Sequence, residues 1–343
     1  MSLARSVPLS VLDLAPVSSG SSPSDALRNS TELARLAERL GYTRYWLAEH
    51  HGMPGIASSA PAVLIAHLAG ATSTLRVGSG GVMLPNHPPL VVAEQFGMLE
   101  ALHPGRIDLG IGRAPGTDQN TARALRRTAG PLSADDFPEQ LGELIAFFTG
   151  GFPAGHPYAD VRAVPAAGNM PPIWLLGSSG YSAQVAGILG LPFAFAHHFS
   201  SENTLPALEL YRSSFRPSEG RERPYAMIAA AVICAESDER ARELAAPAGL
   251  AMLRLRRGQP GTWPSPQEAA AYQYTSLDRE IIRSATSSYV VGGPETVRAG
   301  LDELLASTQV DELMITTNVH DQNERLRSYE RIAEMAGLAY AAA

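Results

Sequence analysis

Lysine is absent from all 343 residues, so each of the 27 basic side chains is an arginine. A guanidinium stays protonated and forms no Schiff base, which excludes lysine-dependent aldolases, pyridoxal-phosphate enzymes and Walker-type nucleotide hydrolases. Cysteine is almost absent too. The single Cys234 rules out an intramolecular disulfide and a cysteine zinc cluster, and is what a cytoplasmic protein would show. No stretch approaches ~18 unbroken apolar residues, so no membrane span is expected. The run after Arg5, VPLSVLDLAPV, is short, is interrupted by Asp13, and reads as a first strand, not a leader. No basic run with interleaved aromatics occurs, and a net charge of −7 with pI near 5.7 argues against nucleic acid or an anionic membrane as partner.

What is present is a large apolar fraction, 45%, against 18% charged residues, the balance of a globular protein with a sizeable core. The length suits a single α/β barrel domain over 1–343, a fold of roughly 250 residues plus insertions. Apolar strands at 7–17, 42–51, 75–84, 106–113, 173–179, 191–199 and 225–235 alternate with helical patterns, among them 22–41, 60–72, 118–128 and 133–149. In 22–41, Ser22 is placed to cap, Pro23 to open the helix and Gly41 to stop it. SYVVGG (288–293) and ELMITTNV (312–319), each followed by a helix, finish the chain. Nine apolar segments alternating with helices fit a doubly wound sheet or, with eight of them as staves, a closed (β/α)8 TIM barrel, and the count favours the barrel. Two irregular stretches, about 150–172 and 253–286, read as insertions after strands four and seven, the second as a lid.

A barrel gathers its chemistry at the carboxyl ends of its strands. Polar residues fall there in turn: Glu49–His51, Asn86 and His87, Arg113, Ser178 and Ser179, His197 and His198, then Asn318 and His320. WLAEHHG (46–52) could be a metal site, an acid–base site or packing. Adjacent strand residues point to opposite faces, so His50 and His51 are poorly placed to share an ion, and no carboxylate stands nearby in metal-ligand spacing. One acid–base histidine with its neighbour in packing or an interface is the better reading, and no metal is expected. GIGRAPG (110–116) has GxGxxxG spacing with Pro115 where a helix should begin, which suits a loop bringing Arg113 to an anion better than a dinucleotide fingerprint. LGSSGYSAQ (176–184) can converge backbone amides and the hydroxyls of Ser178 and Ser179 on a phosphate, or be an ordinary capped turn. Gly80 and Gly81 mark a close approach of a flat ligand, an unusual backbone angle, or a bulge.

EHHG, TLRVGSGGVMLPNHPPLVVAEQFGMLEALHPGRIDLGIGRAPGTD and LGSSGYSAQVAGILGLPFAFAHHF together resemble the bacterial luciferase-like monooxygenase family, across roughly residues 7–337. The likeness is to its homomeric, non-luminescent branch. It implies a barrel that binds reduced FMN, or in some branches the deazaflavin coenzyme, and acts with oxygen on a small organic substrate, a separate flavin reductase supplying the cofactor. Carried onto this chain, His50 matches the catalytic histidine, with His197 and His198 as further candidates of which alternation lets only one face the pocket. Gly80 and Gly81 match a place where the family often has a non-prolyl cis peptide beneath the flavin. Arg113 and Arg123 match phosphate-contacting arginines, and Ser178, Ser179, Gly180 and Tyr181 match the phosphate turn. His51 and the helix around Glu94 match a homodimer interface. Where luciferase has a reactive cysteine this chain has Gly112, its acidic loop is shortened to APGTD, and Gly177 replaces a glutamate, so light emission is not expected. A deazaflavin-dependent reductase and a flavin-binding protein without turnover are the competing readings.

Overall fold

The computed structural model describes residues 7–126 and 136–338. Its strands are β1 (Leu9–Asp13), β2 (Arg44–Leu47), β3 (Arg76–Ser79), β4 (Val82–Met83), β5 (Ile107–Gly112), β6 (Ile173–Gly177), β7 (Phe193–Phe195), β8 (Ala226–Cys234), β9 (Val290–Gly292) and β10 (Glu312–Thr316), all paired in parallel. The order β1-β2-β3-β5-β6-β7-β8-β10 closes because β10 pairs with both β8 and β1, which gives the eight-stranded (β/α)8 TIM barrel. β4 continues β3 past a cis Gly80–Gly81 peptide and pairs with β5. SYVVGG is a strand but not a barrel stave, since β9 pairs only with the far end of β8, Val232–Cys234.

The helices are α1 (Pro23–Arg39), α2 (Pro61–Ala71), α3 (Pro89–Leu102), α4 (Gln119–Arg126), α5 (Phe137–Thr149), α6 (Gly180–Ile188), α7 (Thr204–Ser214), α8 (Asp238–Arg256), α9 (Pro266–Ala271), α10 (Ser276–Ala285), α11 (Pro294–Thr308) and α12 (Gln322–Ala336). α1 starts as its sequence dictates: Ser22 and Asp25 form a reciprocal capping box, and Gly41 leaves the helix at φ 81°. Residues 127 and 128 of one expected helix, and 133–135 of the next, lie outside the described residues. The second insertion is less irregular than its Pro and Gly content suggests. α8 runs on to Arg256 with Pro247 inside it, and α9 and α10 follow.

Alternation along each strand divides the core in two. Leu9, Val11, Tyr45, Val77, Ile107, Leu175 and Ile315 point outward and pack against the helices. Leu12, Trp46, Trp174, Met227 and Met314 point into the barrel as a separate cluster. Strands buried on both faces read as continuous apolar runs, which is why they were visible in the sequence. Burying each such leucine or phenylalanine stabilises the fold by roughly 1.5–3 kcal/mol. The lower end of the barrel is closed by polar groups instead. Arg44 reaches Asp108 and Glu312, each at 2.7 Å, Trp46 Nε1 donates to Asp108 at 3.1 Å, and Tyr225 donates to Glu312 at 2.9 Å. The planar fork of an arginine serves two carboxylates at once, so the charges are paired where water is excluded.

Candidate active site

Above Trp46 and Met227 the inward positions become small: Ala48, Gly80, Gly112, Ala194 and Ala229. Their missing side chains open a cleft of about 380 Å³ at the carboxyl ends of the strands, floored by Leu12, Trp46, Met227 and Met314. A second cavity of about 180 Å³ adjoins it and shares Leu14, His50, His198 and Phe199 with it. In β8, AMIAAAVIC, the inward positions are Met227, Ala229, Ala231 and Ile233, and the two alanines among them are the sequence signal for this wall.

At the end of β2, Glu49, His50 and His51 diverge. His50 lies on the wall of both cavities. Its Nδ1 is 3.2 Å from the Gly116 carbonyl, which can only accept, so Nδ1 carries the proton and Nε2 is left with a lone pair. Burial lowers the pKa of this imidazole below the usual histidine value, against the opposing pull of Gly116 and Glu49. It is therefore neutral at pH 7.

Glu49 turns away from the cavities and is fully buried. Its Oε1 accepts from Nε2 of His51 and from Nε2 of His87, both at 2.8 Å, and its Oε2 accepts from the Met83 amide at 3.0 Å. Burial pushes this carboxyl up, but the His87, His51 and Met83 hydrogen bonds outweigh it and hold the pKa below the ordinary glutamate value. Three potential metal-ligand atoms thus lie within 4.8 Å of one another, Glu49, His51 and His87. The expectation that no carboxylate stands in metal-ligand spacing missed the grouping of Glu49 with His51 and His87: His87 arrives from the turn after β4, a contact that spacing within one strand does not reveal. In the structure the trio is a set of hydrogen bonds that ties the end of β2 to the end of β4.

His197 and His198 follow β7 in a turn, and only His198 reaches the cavities. Its Nδ1 bonds the Ala229 carbonyl at 2.9 Å, and burial lowers its pKa. His197 turns aside to Thr204 Oγ1 at 2.8 Å. Asn318 lies on the second cavity, whereas His320 bonds the Ser19 carbonyl at 3.1 Å and Asn86 bonds that of Pro115 at 2.8 Å.

The two glycines, Arg113 and the two serines frame the cleft. Gly80 and Gly81 lie on its wall, but a Cβ on either would meet protein: one on Gly80 would stand 2.8 Å from Leu12 Cδ1, and one on Gly81 2.8 Å from the Gly110 carbonyl oxygen. Packing inside the barrel explains their small size without any ligand. Arg113 also lies on the wall, its guanidinium 4.2 Å from the centre of the Tyr181 ring, and no carboxylate pairs with it among the described residues. Ser178 and Ser179 share that wall, and Ser179 stands at the N-cap of α6 without a side-chain hydrogen bond, so it does not cap the first amides of the helix. Gly180 opens α6 and Tyr181 holds Arg113, neither of them on the wall itself. Arg123 is exposed on α4 and the structure does not bring it to the cleft.

The residues sequence reasoning missed belong to the second cavity: Met252, Leu255, Trp263 and Tyr289. Trp263 sits between α8 and α9, where its amide donates to the Val17 carbonyl and its carbonyl accepts from Ser19, both at 2.8 Å. The 257–265 stretch is thereby laid across the cavity and bound to the loop after β1.

The luciferase-like monooxygenase family model matches residues 7–312. The chain is 53% identical to the Bacillus subtilis (strain 168) protein YvbT over 95% of this chain and 96% of that one. It is 39% identical to the crystal structure of apo-MsnO8, with TM-score 0.87 and 98% and 99% of the two chains covered. The oxygenating constituent of 3,6-diketocamphane monooxygenase from Pseudomonas putida, solved with FMN, shares the fold alone, at 18% identity, TM-score 0.71 and coverage of 96% and 98%. Among the described residues no helix is long and apolar enough to cross a membrane.

Proposed function

The chain belongs to the luciferase-like monooxygenase family, and from that premise we propose that it is a flavin-dependent monooxygenase using reduced FMN and molecular oxygen on a small organic substrate. The observation that carries this reading is Arg113, the single guanidinium on the cleft wall among the described residues, held by stacking and left without a carboxylate beside the open end of α6. A cation, two hydroxyls and the amides at a helix N-terminus suit a phosphate. One such cluster answers one phosphate better than the longer acidic tail of the deazaflavin coenzyme, which favours FMN.

Bound flavin would supply the electrons that let one oxygen atom go to the substrate and the other to water. The protein's own share is positional. Arg113, Ser178 and Ser179 would hold the phosphate, with the ring along the wall that Gly80 and Gly81 form. The 257–265 segment keeps water from the reacting end. His50, neutral and with Nε2 unprotonated, would accept and return a proton there, and His198 is the second candidate.

Arg113→Ala is expected to weaken FMN by roughly 10- to 100-fold, the worth of a charged hydrogen-bonding partner at about 1.5–3 kcal/mol. Riboflavin, which has no phosphate, should bind the variant and the parent alike. Titrating both ligands into both proteins measures this, and equal losses would place the phosphate elsewhere.

The chain is also proposed to act as a homodimer through the end of β2 and α3, with a separate reductase delivering reduced flavin. α3 supports this: Val91, Met98 and Leu102 are exposed on one face with Glu94 between them, an apolar stripe at helical spacing. Met98→Glu combined with Leu102→Arg should halve the mass seen by light scattering at micromolar concentration. An unchanged mass would move the interface off α3.

A further inference from the structure

Resting on the flavin reading above, we propose that the second cavity binds a compact, uncharged organic substrate bearing one hydrogen-bonding group, and turns away carboxylates, phosphates and sulfonates. Among the described residues no aspartate, glutamate or arginine stands on its wall. The surface is instead Met53, Ile56, Ile233, Met252, Leu255 and Trp263, and transfer of a carboxylate from water onto such a surface without a partner is strongly unfavourable. Among the described residues the basic groups on it are His50 and His198, and burial lowers the pKa of both below the ordinary histidine value. Charge is thus segregated. The adjoining cleft has Arg113 for an anion, and the side cavity has nothing equivalent.

Size sharpens the class. A cavity of about 150 Å³ lined by aliphatic and aromatic residues accommodates benzene, so one of about 180 Å³ suits a molecule somewhat larger. Two wall residues keep a buried polar atom without a protein partner, Trp263 Nε1 as donor and Asn318 Oδ1 as acceptor. The Asn318 amide is oriented by Nδ2, 3.3 Å from Thr316 Oγ1. A hydroxyl or carboxamide, able both to accept and to donate, is complementary to that pair.

Benzamide and benzoate have nearly the same shape and differ in charge. Calorimetric titration of the protein, with and without saturating FMN, should show benzamide binding and benzoate weaker by roughly tenfold or more. Leu255→Arg, which adds a cation to the wall, should raise benzoate to or above benzamide, with circular dichroism confirming that the variant is folded. Benzoate binding as tightly as benzamide in the parent, or no binding of benzamide, would overturn the proposal. FMN titrated in the same experiment separates the two readings. FMN bound with benzoate preferred ends only the substrate assignment, and benzamide preferred with no FMN binding ends only the flavin assignment.

Discussion

Replacing His50 with alanine is expected to lower substrate-coupled turnover by about 10²- to 10⁴-fold, the range for loss of a positioned acid–base group, and to leave FMN affinity nearly unchanged. The geometry separates the two effects. His50 Nδ1 is fixed on Gly116, which leaves Nε2 to the space shared by both cavities, whereas the proposed phosphate partners Arg113, Ser178 and Ser179 come from the turns after β5 and β6. The pH profile gives a second readout. Burial holds the His50 pKa below its ordinary value of about 6.5, so the imidazole stays a base as pH falls through that value and is lost only further down. The parent should therefore show an acid limb that begins below pH ~6.5, and His50→Ala should lack it. Oxygen uptake coupled to substrate loss, followed across pH, measures both. A variant with parental rate, or with the acid limb intact, would shift the role to His198, whose Nδ1 is fixed in the same way on Ala229.

The barrel was legible because its strands are buried on both faces, and that pattern does not depend on the rest of the chain. The same property misleads at SYVVGG. β9 looks like a stave locally, and only the closure of β10 onto β1 and β8 shows that the ring is complete without it. Site residues were legible as far as they stand at strand ends, which is how His50, Arg113, Ser178, Ser179 and His198 were reached. Whatever depends on two loops meeting was not. His87 joins Glu49 from a turn 38 residues away in sequence, and Trp263 reaches Val17 and Ser19 from the stretch between α8 and α9, at the other end of the sequence. Arg113 and Arg123 are equivalent by composition, yet one lies on the cleft wall and the other on the exposed side of α4.

A contact of that long-range kind supports the second large effect, the loss expected from Arg325→Met. Arg325, 1% exposed on α12, donates to Asp13 Oδ1 at 2.7 Å and to the Thr317 carbonyl at 2.8 Å. Asp13 also accepts from Tyr45 and, at 2.8 Å, from the amide of Ala15. The pair therefore joins α12, β1, β10 and the loop whose Leu14 and Pro16 line the second cavity. Removing one partner of a buried pair leaves the other charge uncompensated and costs about 3–5 kcal/mol. The sign with pH distinguishes this from a mere packing defect. Burial raises the Asp13 pKa, but Arg325 and the hydrogen bonds hold it below the ordinary aspartate value, so in the parent this stabilisation is present above the unfolded pKa and disappears only as pH falls through the folded one. Without Arg325, burial prevails and the folded pKa rises above the unfolded value, so the variant loses stability as pH rises instead. The stability gap should widen between about pH 4 and pH 7, and Asp13→Asn in the variant should recover much of it by removing the stranded charge. Urea unfolding at both pH values tests this. A gap that is constant with pH would mean that Arg325 acts through its methylenes alone, and that the loop over the cavity is held by Tyr45 and Ala57, not by charge.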